Sequence, residues 1–193
     1  MTSQLVSRDY AVTDSDAALL ERLRSGDSIA FEELFLRHYA AVYRVLYRVV
    51  GNAQEAEDLA QETFTALYRQ PPQLEGSSAL GGWLYRVAVN RAYNALRSKQ
   101  RLQRRLRWEE PEQQSNPQDE YLRREERERV RAVLARLPER TAKLLLLRYA
   151  GLAYAEIAAA LQVAPSSVGT LLVRAELAFT QTYEQMGLSD EGL

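Results

Sequence analysis

The chain has 193 residues, of which 46% are hydrophobic and 26% are charged, a balance typical of a soluble globular protein. It has no cysteine and one histidine, His38, which excludes disulfides, thiolate catalysis, Cys-based zinc sites and iron–sulfur clusters and argues against a His-rich metal site. No apolar run approaches the ~18 residues that span a bilayer, and the start lacks the pattern of a signal peptide. We therefore expect a cytoplasmic protein with no membrane insertion, no bound metal and no cofactor.

The net charge of −1 hides an uneven distribution of charge along the chain. Residues 97–107 carry six basic groups and no acidic group, whereas residues 108–120 carry five acidic groups and no basic group. Blocks of one sign indicate a local basic surface beside a local acidic one, even in a nearly neutral chain.

Apolar residues recur every three or four positions, and no segment alternates with period two, so the predicted fold class is all-α. Gly51 can end the second helix, and Pro71-Pro72 stops the third. Residues 71–82 contain glycine, serine and proline and are predicted to form a loop. The predicted helices of this first part cover about 17–24, 28–50 and 53–69, and a fourth begins near 80–83 and extends to about 105.

The second part of the chain begins after a polar segment. Residues 107–119 contain two prolines and almost no apolar side chain, a composition typical of a linker. We therefore expect two small helical domains, at 1–104 and 121–193, joined by a flexible linker at 105–120. The predicted helices beyond the linker cover about 120–136, 139–149, 153–161 and 165–184.

Residues 152–179 have the pattern of a helix-turn-helix. Gln162-Val163-Ala164 forms a three-residue turn between two short helices, and Pro165 can begin the second one. Small polar side chains facing outward near the start of the second helix would let it enter a major groove. The candidate DNA contacts are Ser166, Ser167, Thr170 and Arg174, and the predicted inner face of the first helix is Tyr154, Ile157, Ala158 and Leu161.

An ordinary helical hairpin in a small bundle would explain the same pattern. Two features favour this alternative. Gln162 stands where the turn usually has glycine, and Gly169 lies inside the second helix, where it costs about 1 kcal/mol relative to alanine.

The predicted helix at 53–69 carries an exposed acidic side, with Glu55, Glu57, Asp58 and Glu62 beside Gln61. Paired carboxylates can be catalytic or bind metal, but no histidine and no second helix with carboxylates at matched spacing supports either role. The remaining interpretations are a solvated acidic face and a docking face for a basic protein partner.

The fourth predicted helix interleaves aromatic, cationic and amide side chains ahead of the basic block. Aromatic rings stack on unpaired bases, arginines hold phosphates and amides read base edges, so this pattern favours a surface for single-stranded nucleic acid. The alternative interpretation of Trp83 is that it is an ordinary core residue with no role in nucleic-acid binding. The side chains in question are Trp83, Tyr85, Arg86, Asn90, Arg91, Tyr93 and Asn94.

Four segments together resemble the extracytoplasmic-function (ECF) sigma factors, the smallest sigma subunits of bacterial RNA polymerase. They are GDSIAFEELFLRHY at 26–39, AEDLAQETF at 56–64, WLYRVAVNRAYNALR at 83–97 and LPERTAKLLLLRYAGLAYAEIAAAL at 137–161. The resemblance implies a domain 2 acting on the −10 promoter element and a domain 4 acting on the −35 element, with no catalytic activity. It also implies three partners, namely core RNA polymerase, promoter DNA (single-stranded at −10, duplex at −35) and an anti-sigma factor.

The resemblance also implies roles for individual residues. Docking on the clamp helices of the largest polymerase subunit falls to Glu57, Asp58, Leu59, Gln61, Glu62 and Phe64. Capture of the opened −10 strand falls to Trp83, Arg86, Asn90, Arg91, Asn94 and Arg97. Contact with the −35 duplex falls to Ser166, Ser167, Thr170 and Arg174.

The chain departs from the family in its second helix-turn-helix helix, where the common pattern is GTVKSR–x–x–RA. The two central basic positions are Gly169 and Leu171 here, which predicts a weak or unusual −35 interaction and a greater dependence on domain 2. Two other functions remain open. One is a regulator that binds duplex DNA only through its helix-turn-helix, and the other is a degenerate sigma homologue that binds polymerase or an anti-sigma factor without directing initiation.

Overall fold

The computed structural model describes residues 14–74, 79–106 and 118–187. Within these residues the chain forms eight helices and no strand, which confirms the predicted all-α class. The loop predicted at 71–82 is shorter than expected because the next helix begins at Ala79, and residues 75–78 lie outside the described residues. Most of the predicted linker, at 107–117, also lies outside them. The helices are α1 Asp16–Arg24, α2 Ser28–Val50, α3 Ala53–Arg69, α4 Ala79–Leu106, α5 Gln118–Leu134, α6 Glu139–Tyr149, α7 Tyr154–Leu161 and α8 Pro165–Gln185.

The helix boundaries follow from local capping chemistry. The carboxylate of Asp27 accepts hydrogen bonds from the backbone of Ile29 and Ala30 at the start of α2, and the side chain of Asn52 accepts one from Glu55 at the start of α3. Caps of this kind stabilise a helix by about 1 kcal/mol each. Gly51 ends α2 with a φ of 70°, a left-handed conformation that favours glycine.

Helices α1 to α4 form an N-terminal half around α2, and α5 to α8 form a C-terminal half. Apolar stripes on α2, α3 and α4 meet in the first half, where Leu34, Leu46 and Leu84 are fully buried. In the second half Leu147 and Ile157 are equally inaccessible. Each half therefore has apolar side chains of its own to bury, as expected for a small domain.

The two halves pack against each other. Helix α4 contacts α6 and α7 along much of its length, and the Tyr93 hydroxyl donates a hydrogen bond to the carbonyl of Leu137 at 3.1 Å. The sequence predicts two small domains joined by a flexible linker, and in this structure the two predicted domains are in contact. They meet because one side of α4 is apolar enough to be buried by the C-terminal half.

Among the residues that the structure describes, no single helix is long and apolar enough to cross a membrane; α7 and α8 together, bent by 89° at their junction, have the combined length and composition of a broken span.

Candidate polymerase and nucleic-acid interfaces

Helix α3 presents its acidic side to solvent. Its opposite side is buried through Ala56, Ala60 and Leu67, so the 3.6-residue period places the carboxylates outward. The exposed residues of the predicted docking set are Glu57, Asp58, Gln61 and Glu62, with Leu59 half-buried.

Phe64, the last residue of that set, lies in the core and is 1% exposed. Its ring centroid is 4.9 Å from that of Phe35 in an edge-on contact, and Tyr39 lies 6.0 Å away. Phe64 therefore packs beneath the predicted docking face and does not form part of its surface in this structure. The sequence pattern alone could have indicated this, because Phe64 shares the apolar stripe of Ala60 and Leu67.

Glu62 connects the acidic face to α4. Its carboxylate lies 2.6 Å from Nη1 of Arg91, while Nε of Arg91 is buried without a hydrogen-bond partner among the described residues. A shallow groove between these helices is lined by Asp58, Gln61, Glu62, Arg69 and Arg91. Arg91 thus lies at the junction of the two predicted surfaces.

Helix α4 has three distinct sides. Five of the six predicted −10 residues share one side, since they follow each other at steps of three or four: Trp83, Arg86, Asn90, Asn94 and Arg97. Trp83, Arg86 and Asn90 are half-buried, whereas Asn94 and Arg97 are exposed. Arg91 turns away from this row toward α3, where it pairs with Glu62.

The other two sides of α4 are buried. Leu84 and Ala88 lie on the side of Arg91, while Gly82, Tyr85 and Tyr93 lie on the side covered by the C-terminal half. Burial raises the pKa of the Tyr85 phenol, and the nearby carboxylate of Glu156 raises it further.

Tyr93 is 1% exposed. The interpretation of Tyr93 as part of an open nucleic-acid surface is therefore wrong for this conformation. Its ring is covered on the interface by the C-terminal half, and Lys143 lies 5.8 Å from the ring centroid.

The helix-turn-helix has the geometry that the sequence predicts. Gln162 occupies the turn with a φ of 54°, in the left-handed region that glycine usually fills, and the axes of α7 and α8 meet at 89°. Helix pairs of this motif cross at about 90–120°. The four predicted −35 contacts are all exposed on α8: Ser166, Ser167, Thr170 and Arg174.

Tyr154 is not on the inner face of α7, as we predicted, but is 46% exposed. Its ring packs on α8, where a Cβ added at Gly169 would lie 3.7 Å from Cε2 of Tyr154. The guanidinium of Arg148 lies 5.7 Å from the centroid of the same ring. Arg148 is therefore an exposed cation near the start of α8 that the sequence pattern did not single out.

No cluster of three or more histidine and acidic side chains within the described parts of the chain could hold a metal ion. The single histidine instead lies with its Nε2 at 2.6 Å from a carboxylate oxygen of Asp16, which is an α1–α2 contact.

Comparison with known proteins gives one consistent answer. Residues 34–102 match Sigma-70 region 2, and residues 127–178 match Sigma-70, region 4. The RNA polymerase sigma-H factor of Pseudomonas aeruginosa is 32% identical over 185 residues, covering 90% of this chain and 96% of that protein. The ECF RNA polymerase sigma-E factor of Escherichia coli K12 is 32% identical over 173 residues, covering 83% and 90%.

Among solved structures, CnrH in its complex with the cytosolic domain of CnrY has a similar fold, with a TM-score of 0.54 and 21% identity over 89% of this chain and 99% of that one. The two region matches fall on the two halves of the structure, one containing most of α2 to α4 and the other most of α5 to α8. The chain belongs to the ECF sigma factors, the non-enzymatic subunits that bind core RNA polymerase and promoter DNA and direct the initiation of transcription.

Proposed function

We propose that the N-terminal half carries both the polymerase contact and the −10 contact of this sigma factor, and that the C-terminal half carries only the −35 contact. The observation that carries this division is the arrangement of α3 and α4. The two helices are neighbours, and Arg91, which lies beside the exposed row of α4, pairs with Glu62 in the acidic row of α3.

The acidic row of α3 suits a basic protein partner. Glu57, Asp58 and Glu62 are solvent-exposed on one helix, and complementary charge across an interface raises the association rate and selects the partner. In this proposal the aromatic packing of Phe64 keeps that helix rigid.

The α4 row suits an opened DNA strand. Arg86 and Arg97 can neutralise phosphates. Asn90 and Asn94 can donate hydrogen bonds to base edges and accept them. The ring of Trp83 can stack on an unpaired base. Extrusion of a base costs a few kcal/mol of unstacking, which contacts of this kind would offset.

The proposed −35 contact of α8 is weaker. Only Arg174 among the four predicted residues is charged, and each phosphate contact that is lost reduces sequence-independent affinity for duplex DNA. We therefore propose that promoter selection depends more on domain 2 than on domain 4.

We further propose that the protein acts in the cytoplasm, where the polymerase and the chromosome are, and that an anti-sigma factor restrains it. The restraint by an anti-sigma factor is supported by the similar fold of CnrH, whose structure was solved in a complex of this kind, with the cytosolic domain of CnrY.

Run-off transcription with purified core polymerase and a library of random promoters tests this proposal. We expect enrichment of a common −10 sequence and a less restricted −35 sequence. A library enriched only at −35 would contradict the division, and the absence of any transcript would favour the degenerate homologue.

A further inference from the structure

A small cavity lies where the end of α2 meets α5 and α6. Its volume is about 340 Å³, which is at the lower end of the ~300–1,000 Å³ range of small-molecule sites. None of its lining residues belongs to the acidic row of α3, the row of Asn90 on α4 or the exposed row of α8. The polymerase and DNA contacts proposed above therefore leave this cavity unused.

Part of the cavity lining is apolar. Val49, Leu134 and Leu146 line it and are each at most 5% exposed, so they form a closed floor. Val130 is half-buried beside them, and Tyr149 adds an exposed ring. Water against such a surface is displaced favourably by an apolar group.

Three arginines line the same cavity. Arg131 of α5 donates through Nε to the carbonyl of Val49 at 3.1 Å, and Arg48 of α2 donates through Nη1 to the carbonyl of Ala150 at the end of α6. Arg127 is exposed on α5. Among the side chains that the structure describes, no carboxylate forms an ion pair with any of the three. Their charges are therefore available to a bound anion.

The surroundings of Arg131 disfavour its positive charge. Burial is the main cause that lowers the pKa of the Arg131 guanidinium, because a charged group loses hydration when it is buried. The charge of Arg127 also lowers this pKa, whereas Tyr149, Glu128 and Glu55 raise it without reversing the shift. An anion beside Arg131 would offset the cost of its burial.

The charge of the lining favours a monovalent anion. Three guanidinia accompany one carboxylate, that of Glu126. The carbonyl ends of α2 and α6, which Arg131 and Arg48 contact, each add about half a negative charge. About one positive charge remains, which a carboxylate neutralises and a doubly charged phosphate would exceed. The planar fork of a guanidinium also matches the two oxygens of a carboxylate.

We propose that this cavity binds a small monocarboxylate with an apolar chain, whose carboxylate contacts Arg127 and Arg131 and whose chain packs on Val130 and Leu146. The site consists only of this chain's own residues, so the free sigma factor binds the acid without polymerase or DNA. A ligand of this kind stabilises the folded protein as its concentration rises above its dissociation constant.

Titration of the full-length protein with octanoate, followed by NMR, tests the site. We expect saturable binding with a dissociation constant on the order of 1 mM or below, as for a small ligand of about ten heavy atoms. Acetate carries the carboxylate without the chain, and octylammonium carries the chain with the opposite charge. Both should bind at least about tenfold more weakly. Equal binding of octanoate and octylammonium, or no saturable binding of octanoate, would overturn the proposal.

The methyl signals in the same titration locate the bound acid. Those of Val130 and Leu146 should shift with a common saturation curve, whereas that of Ile29 should stay unchanged. Ile29 is 67% exposed and lies near the opposite end of α2, about 30 Å from Val49 at 1.5 Å per residue. It therefore reports non-specific association with exposed apolar side chains. A shift of Ile29 equal to that of Val130 would refute a defined site.

Two adjacent exposed residues of α5 should respond in opposite directions. Arg127→Ala should raise the dissociation constant for octanoate about tenfold, as expected for the loss of a charged hydrogen bond, whereas Glu126→Gln should lower it several-fold because it removes the negative charge from the lining. Arg140→Ala is the matched control, since Arg140 is exposed on α6 and does not line the cavity. A general loss of folding stability cannot produce opposite shifts. Equal affinities of the Arg127→Ala and Arg140→Ala variants would refute the charge contact.

Discussion

The two candidate DNA-binding helices present their polar side chains in different ways. On α4, Arg86 and Asn90 are half-buried between two packed sides of the helix, whereas on α8 Ser166 and Thr170 are exposed. Side chains that are already ordered lose less conformational entropy on binding than free ones do. The comparison suggests that α4 supplies a preorganised reading surface and α8 supplies contacts that are individually weak.

The same contrast holds for charge. The N-terminal half combines an exposed acidic row on α3 with arginines on α4, so it can meet a protein and a nucleic acid on adjacent surfaces. The predicted contact row of α8 carries one cation, Arg174, and no acidic group. Changes in the N-terminal half should therefore have the larger effects.

The largest effect is expected from charge reversal on α3. Asp58→Arg with Glu62→Arg would place like charges opposite a basic partner, at a cost of several kcal/mol, so we expect affinity for core polymerase to fall on the order of a hundredfold or more. Fluorescence anisotropy with labelled sigma factor and purified core measures this.

The exposed Glu176→Arg with Glu184→Arg on α8 is the matched control for that charge reversal. Because Glu62 pairs with Arg91 at the surface, its loss should cost folding stability no more than about 1 kcal/mol. If the two double variants bound core polymerase equally well, the acidic row of α3 would be a solvated surface and not a docking face.

A smaller and more selective effect is expected at Asn90. Asn90→Ala should slow open-complex formation about tenfold, since loss of a base-edge contact costs about 1–3 kcal/mol, while core binding stays the same. Permanganate reactivity of unpaired thymines measures opening, and a core titration measures docking.

Ser98→Ala provides the comparison for Asn90→Ala, because Ser98 is exposed on α4 two turns beyond Asn90 and is not one of the six predicted −10 residues. If Asn90→Ala weakened core binding and opening to the same degree, the separation of docking on α3 from reading on α4 would be refuted.

The sequence predicts the helices well because their boundaries are set locally. The cap of Asp27, the left-handed Gly51 and the break at Pro138 act within a few residues of where they stand. The exposure of Ser166 and Arg174 follows in the same way from the 3.6-residue period. Tyr154 was misassigned because the period fixes only the direction of a side chain, and the space above Gly169 lets its ring lie across α8.

The packing of the halves has no such local signature. Arg48 and Ala150 are 102 positions apart, and nothing in the pattern around either residue indicates the other. The adjacent Gly81 and Gly82 inside a helix were the available signal, since glycine in a helix costs about 1 kcal/mol and often marks a close approach of another element. The structure shows a close approach at Gly82 and open space at Gly81.

The smallest effect is expected when α8 is made more like the common family pattern. Gly169→Lys with Leu171→Arg would add two phosphate contacts and strengthen binding to duplex DNA. Leu171 is half-buried, but the aliphatic part of an arginine can cover the same apolar surface while its charge reaches solvent. With about 0.9 counterions released per contact, the advantage over the parent should shrink roughly tenfold between 50 and 200 mM salt.

Gly169→Ala is the control for that gain, because it improves helix propensity without adding charge and its Cβ would meet Tyr154 at an ordinary contact distance of 3.7 Å. Filter binding of a −35 duplex across a salt series separates the two explanations. A gain for the alanine variant equal to that of the double variant would mean that helix stability, and not missing charge, limits α8. A gain confined to the double variant and lost at high salt would instead show that α8 is already well formed and lacks only cations.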